Sequence, residues 1–323
     1  MKYMRKYFAL VILAQILLFG ACNKQESIIT AERQPLWLSP VVGLNQTRGV
    51  VTGTAFPNRS MIVSADLNTS TGYTGSSKNY FTGVTFNQTT TTSGIWSPAS
   101  GSYYWPLTGG LDMLAYAPGE ATVTPTWGSG SYQVTDRVTL ACSDCRNDDI
   151  LIGAVSNATS ASNAHTIAYK HCLSQIKVRG SASVNSVVKI KGVVVKAYVG
   201  ANILVERSGG TVSVSNTSTT GSQTNNTVYT GNLTLTSSAQ SFGNTILLPA
   251  QSFSNSAGDI VITYTITNTS GESQSMTVSK AINLTMEPGK AYTFDISATL
   301  NGLTVQASLT DWTNYSPNPS VTI

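Results

Sequence analysis

Cys142-Ser143-Asp144-Cys145 is the segment of this 323-residue chain with residue types and spacing best suited to chemistry. Two thiols two residues apart can form a redox pair or supply half of a zinc site. A zinc site would recruit His171 and Cys172, giving three thiolates and an imidazole. Adjacent residues of a strand point to opposite faces, so His171 and Cys172 do not converge on one ion. Thioredoxin-type chemistry needs its CxxC at the start of a helix, and no helical pattern follows Cys145. What remains is a structural disulfide in an exported protein: Cys142 with Cys145, or either of them with Cys172. Asp144, Asp148 and Asp149 lie close by but lack the regular spacing of a calcium loop, and read as a solvated turn. Tyr103, Tyr104 and Trp105 offer an aromatic platform for a sugar, yet the Trp105-Pro106 step before a buried run reads as packing between sheets. There is no nucleophile elbow, no HExxH and no phosphate-cradling glycine loop before a helix. The chain is expected to be neither an enzyme nor a holder of a metal or cofactor.

A second kind of chemistry, covalent processing, is written at the N-terminus. Lys2, Arg5 and Lys6 precede an apolar run at residues 8–19 that is short for a bilayer span. Gly20-Ala21-Cys22 follows. Small residues directly before a cysteine resemble a lipobox, a signal whose cysteine is diacylated and becomes the mature N-terminus. A general secretory signal with an incidental cysteine is the alternative. Residues 1–21 are read as a lipoprotein signal peptide and 22–34 as a polar tether. Acylation of Cys22 implies anchoring through lipid and not through a helix.

The leader also resolves the charge. Of 19 Lys and Arg against 15 Asp and Glu, Lys2, Arg5 and Lys6 lie in the signal, leaving 16 against 15. A cut after Arg48 would remove Lys24, Arg33 and Arg48 with Glu26 and Glu32, leaving 13 against 13. A neutral protein has no long-range attraction to nucleic acid or anionic lipid, so nucleic acid is set aside as a partner.

The elements that must carry these residues are strands. Short apolar or alternating runs are separated by Gly, Asn, Ser and Pro clusters, and no window of a dozen residues keeps a helical period. Residues 35–49 (PLWLSPVVGLNQTRG) form the first strand and end at an arginine before a second run at 49–56. Residues 111–117 (LDMLAYA) read as a buried strand, and 187–199 (VVKIKGVVVKAYV) as the strongest strand of all, with a bulge or close approach at Gly192. Residues 68–78 and 208–226 read as loops from their Gly, Ser, Thr and Asn content. A small polar stretch at 156–164 divides the all-β chain into two β-sandwich domains, 35–160 and 161–323.

In order along the chain, these pieces resemble the fimbrillins, the type V pilin subunits of Bacteroidetes. They are the lipobox at Cys22, the Thr47-Arg48 step before a Gly-rich strand, and Tyr104-Trp105-Pro106 leading into 111–118. Further on come His171 with Leu173-Ser174-Gln175-Ile176, Leu247-Leu248-Pro249, Glu287-Pro288-Gly289-Lys290 with Tyr292, and Trp312. The resemblance implies two tandem transthyretin-like β-sandwich domains and transport as an outer-membrane lipoprotein. It implies that an arginine-specific surface protease releases the first strand, and that another fimbrial subunit donates a strand to the groove. Donor strands work through main-chain hydrogen bonds along an open edge, with side chains in alternate pockets. Such head-to-tail contacts make filaments.

Arg48 is the processing position that the resemblance carries over. Arg33 in the tether and Arg59 beyond the next strand compete with it; a cut at the first leaves the strand in place, and a cut at the second removes too much sheet. The donor-strand candidate is the C-terminal run in which Leu303, Val305, Ala307 and Leu309 share one face. Little chain follows Trp312, and Pro317 and Pro319 remove ladder donors, which favours a tip or accessory adhesin over a stalk. The expected partners are other subunits, the lipid anchor, the protease and a host or bacterial surface ligand. A non-polymerising surface lipoprotein that binds glycans or proteins is the alternative.

Overall fold

Strand-favouring, β-branched sequence yields nineteen strands and no helix among the residues described in the computed structural model: 33–42, 60–68, 78–89, 94–117, 123–129, 133–146, 149–160, 164–253, 258–299 and 302–311. The first nine are β1 (Leu38–Val42), β2 (Met61–Asn68), β3 (Lys78–Gln88), β4 (Trp96–Pro98), β5 (Gly110–Ala117), β6 (Val123–Trp127), β7 (Arg137–Cys142), β8 (Leu151–Ala158) and β9 (His165–His171). Then come β10 (Ser174–Ala182), β11 (Val187–Ala197), β12 (Gly200–Ser208), β13 (Thr211–Thr220), β14 (Thr224–Thr234) and β15 (Gln240–Leu248). The last four are β16 (Ile260–Thr267), β17 (Ser273–Lys280), β18 (Lys290–Thr299) and β19 (Gly302–Asp311).

The all-β architecture expected from the sequence is present, as sheets stacked in sandwiches. In the first, the sheet β1-β4-β3-β2-β5-β8-β9 closes on itself, with β1 as the closing strand. The sheet β13-β12-β7-β6 covers its outer face. In the second, β15-β10-β18-β19 packs on β14-β11-β16-β17. Strands from both sides of residue 160 build the first set: β9 pairs with β8 and β1, and β12 pairs with β7.

The apolar run of β5, interrupted only at Asp112, follows from this layering. Leu111, Met113, Ala115 and Ala117 face the interior of the closed sheet, while Leu114 and Tyr116 face the covering sheet. A strand buried on both faces has no polar side to alternate with. In β11, the register shifts between Ile190 and Gly192 against both neighbours, the bulge expected there.

Residues 208–226 are not a loop. β13 pairs with β12 along its whole length, and β14 pairs with β11. Thr and Val suit a pleated strand, and an edge strand facing solvent carries few apolar residues to betray it. Strand β6 is hidden in the sequence by Pro125 at its centre; it is an edge strand, where proline is tolerated. The run expected at 49–56 lies outside the described residues.

A polar clamp ties the covering sheet to the closed one. Arg207 of β12 donates to the Thr135 carbonyl (2.7 Å) and stands 3.5 Å from both Asp112 and Asp136. Asp112 also accepts from Ser156 Oγ and the Asn157 amide, each at 2.8 Å. Asp66, 2% exposed, accepts from the Thr135 hydroxyl (2.8 Å) and amide (3.2 Å).

Candidate functional site

The segment that opens the described chain lies in a slot between two strands. β1 runs parallel to β9 in the register Leu38 with His165 through Val42 with Tyr169, and Leu38 faces Trp96 of β4 on the other side. The ladder continues upstream. The Leu36 amide donates to Tyr103 (2.9 Å), the Trp105 amide to Gln34 (2.9 Å) and the His165 amide to Trp37 (3.0 Å). Alternation sorts the side chains: Leu36, Leu38 and Pro40 are buried, whereas Trp37 is 41% exposed. Leu36 and Leu38 pack among Trp96, Trp105, Ile167 and Tyr169.

The aromatic trio helps to build this slot. Trp105 is 3% exposed, with its ring 5.8 Å from that of His165. Tyr103 meets Phe81 edge-on at 5.1 Å, and the Tyr104 carbonyl accepts from the Tyr80 hydroxyl at 2.7 Å. Tyr169 lies at the floor, where burial pushes its phenol far above the usual range.

Cys22 and Arg48 lie outside the described residues. Cys142 ends β7 and is bonded to Cys145 across a turn, with Cα atoms 5.6 Å apart; Cys172 is a buried free thiol. Burial, and then the charge of Asp149, push the Cys172 thiol well up. His171 Nδ1 and Asp149 Oδ2 are 2.8 Å apart and nearly buried. Asp144 instead accepts from Arg146 Nε at 2.8 Å, so Asp144 and Asp149 face different partners. Among the described residues no group of three His, Cys, Asp or Glu is placed to hold a metal.

The C-terminal candidates lie on β19, which pairs with β18 from Lys290–Asp311 to Thr299–Gly302 and forms the edge of its sheet. Leu303 is buried and Val305 packs partly against the core. Ala307 and Leu309 are exposed, Leu309 by 56%. The apolar face is therefore half used at home. Sequence reasoning missed a polar cavity beside β13; the only signal was a Thr- and Asn-rich run that composition disguises as loop.

A family model for fimbrillin-like proteins matches residues 50–312. No curated protein sequence matches the chain. Among solved structures, a fimbrial protein from Bacteroides vulgatus aligns with 86% of this chain and 99% of its own, at 16% identity and a TM-score of 0.59. A protein from Bacteroides ovatus, assigned to cell adhesion, aligns over 88% and 99%, at 13% identity and a TM-score of 0.50. At these identities the likeness is one of fold.

Proposed function

The chain belongs to the fimbrillin-like family, and from that premise we propose that it serves at the cell surface as a fimbrial subunit or as a tip or accessory adhesin. It is exported as an outer-membrane lipoprotein acylated at Cys22, and proteolysis after Arg48 releases its first strand. The seat of β1 is the observation that carries this reading. A strand hydrogen-bonded on both sides, with alternate side chains in a closed core, leaves two open edges and empty pockets when it departs. A strand from a neighbouring subunit would restore both.

The test is digestion of the purified precursor with an arginine-specific protease. N-terminal sequencing should read Gly49, and unboiled SDS gels should then show a ladder of oligomers. A start at Cys22 in assembled material would overturn strand removal. The non-polymerising reading is favoured by one observation: β19 is already paired in its own sheet, with Leu303 in its own core. Processing without a ladder would select that reading.

A further inference from the structure

A cavity of about 410 Å³ opens between β13 and two segments of the second sandwich, residues 250–252 and 285–288. This is within the ~300–1,000 Å³ of small-molecule sites. β13 contributes Ser215, Asn216, Thr217 and Thr219, and Ser252 and Thr285 are also in the lining. All six bear hydroxyl or amide groups, and none of the residues lining the cavity is charged. Tyr198, Met286 and Pro288 add apolar surface. Hydroxyls and amides beside an aromatic ring suit a sugar, which presents hydroxyls at its edge and C–H groups on its faces.

The wall is held in place before any ligand arrives. Gln251, 8% exposed, accepts from the Tyr198 amide (2.9 Å) and donates to the Tyr198 (2.9 Å) and Pro249 (3.1 Å) carbonyls. Its own carbonyl accepts from the Met286 amide at 2.8 Å. Ser252 and Thr285 pair through their hydroxyls at 2.9 Å. Thr217 differs: its hydroxyl oxygen is buried without a hydrogen-bond partner. Native proteins rarely leave such a group unpaired, and because it is buried it does not open onto the cavity that its residue helps to line.

We infer that this cavity binds a neutral saccharide, with Thr219 of β13 and Ser252 of the facing segment as hydrogen-bonding residues. An anionic sugar or phosphate would enter a site that offers no cation, and an apolar ligand would strand the hydroxyls. The inference deepens the adhesive reading above and rests on it for surface location, but not for polymerisation.

Affinity electrophoresis of the full chain through gels containing mannan, galactan, dextran or xylan tests it, with hyaluronan as the anionic control. At least one neutral polymer should retard the protein, and hyaluronan should not. Thr219→Val and Ser252→Ala should each weaken the retarding interaction about threefold to tenfold. Thr217→Val, which removes the buried unpaired hydroxyl, should raise the melting temperature and leave binding unchanged. No retardation by any neutral polymer, stronger retardation by hyaluronan, or unchanged binding by both Thr219→Val and Ser252→Ala overturns the proposal. A ladder of oligomers without saccharide binding sinks this inference alone; binding without a ladder sinks only assembly.

Discussion

Asp66 sits almost out of water between the two sheets of the first sandwich, and burial raises its pKa above the ordinary 3.8 despite the Thr135 hydrogen bonds. A raised carboxyl pKa means the folded state holds the proton more tightly than the unfolded chain. The associated stability is therefore present below the unfolded value and lost as pH rises through the folded one. Asp66→Asn, which keeps an acceptor for Thr135, should thus compare more favourably with the wild type at pH 7 than at pH 4. Urea melts of both proteins at the two pH values check this, and a pH-independent difference refutes it. Cys172 gives a second test at this scale. A buried thiol with a raised pKa is inert, so iodoacetamide should label it only after denaturation, while non-reducing peptide maps keep Cys142 and Cys145 joined. Labelling of native protein at Cys172 would contradict the structure. The sequence left the cysteine pairing open because spacing carries no geometry. The turn shows itself only when β7 and the Val199 carbonyl, which accepts from the Cys145 amide at 2.8 Å, are in place.

At the scale of elements, β1 depends on two side chains of unlike fate. Leu38 is fully buried, and Leu38→Ala should cost about 2–5 kcal/mol. Trp37 beside it faces outward, and Trp37→Ala should stay within about 0.5 kcal/mol. Equal losses in urea melts would mean that β1 is seated in another register. A strand near residues 35–49 and a buried strand at β5 were legible in the sequence from their apolar density, but Leu36, Trp37 and Leu38 are all apolar, so which of them meets the core was not. The parallel partner of β1 was not, since β9 lies more than a hundred residues away and pairing between distant strands leaves no local mark. β13 was hidden for the opposite reason. Its polar faces look like loop chemistry, and only the ladder with β12 identifies it as a strand.

For the whole molecule, the all-β class and the stacking of sheets could be read from strand spacing, and the family from the order of its pieces. The closure of one sheet could not be read, because it depends on a single short strand bridging β4 and β9. The same parallel arrangement recurs in the second sandwich, where β10 lies beside β18 over eight residue pairs. Each sandwich thus joins an early strand to a late one. This pairing has a mechanical consequence for a protein held at its N-terminal end while something pulls on the rest. β1 and β9 point the same way, so tension entering at the start of β1 and leaving through the end of β9 acts along both strands in opposite senses. The hydrogen bonds between them are then strained in shear, all together, and cannot be peeled apart singly. Loaded in this way, the first sandwich would hold until those bonds gave way together.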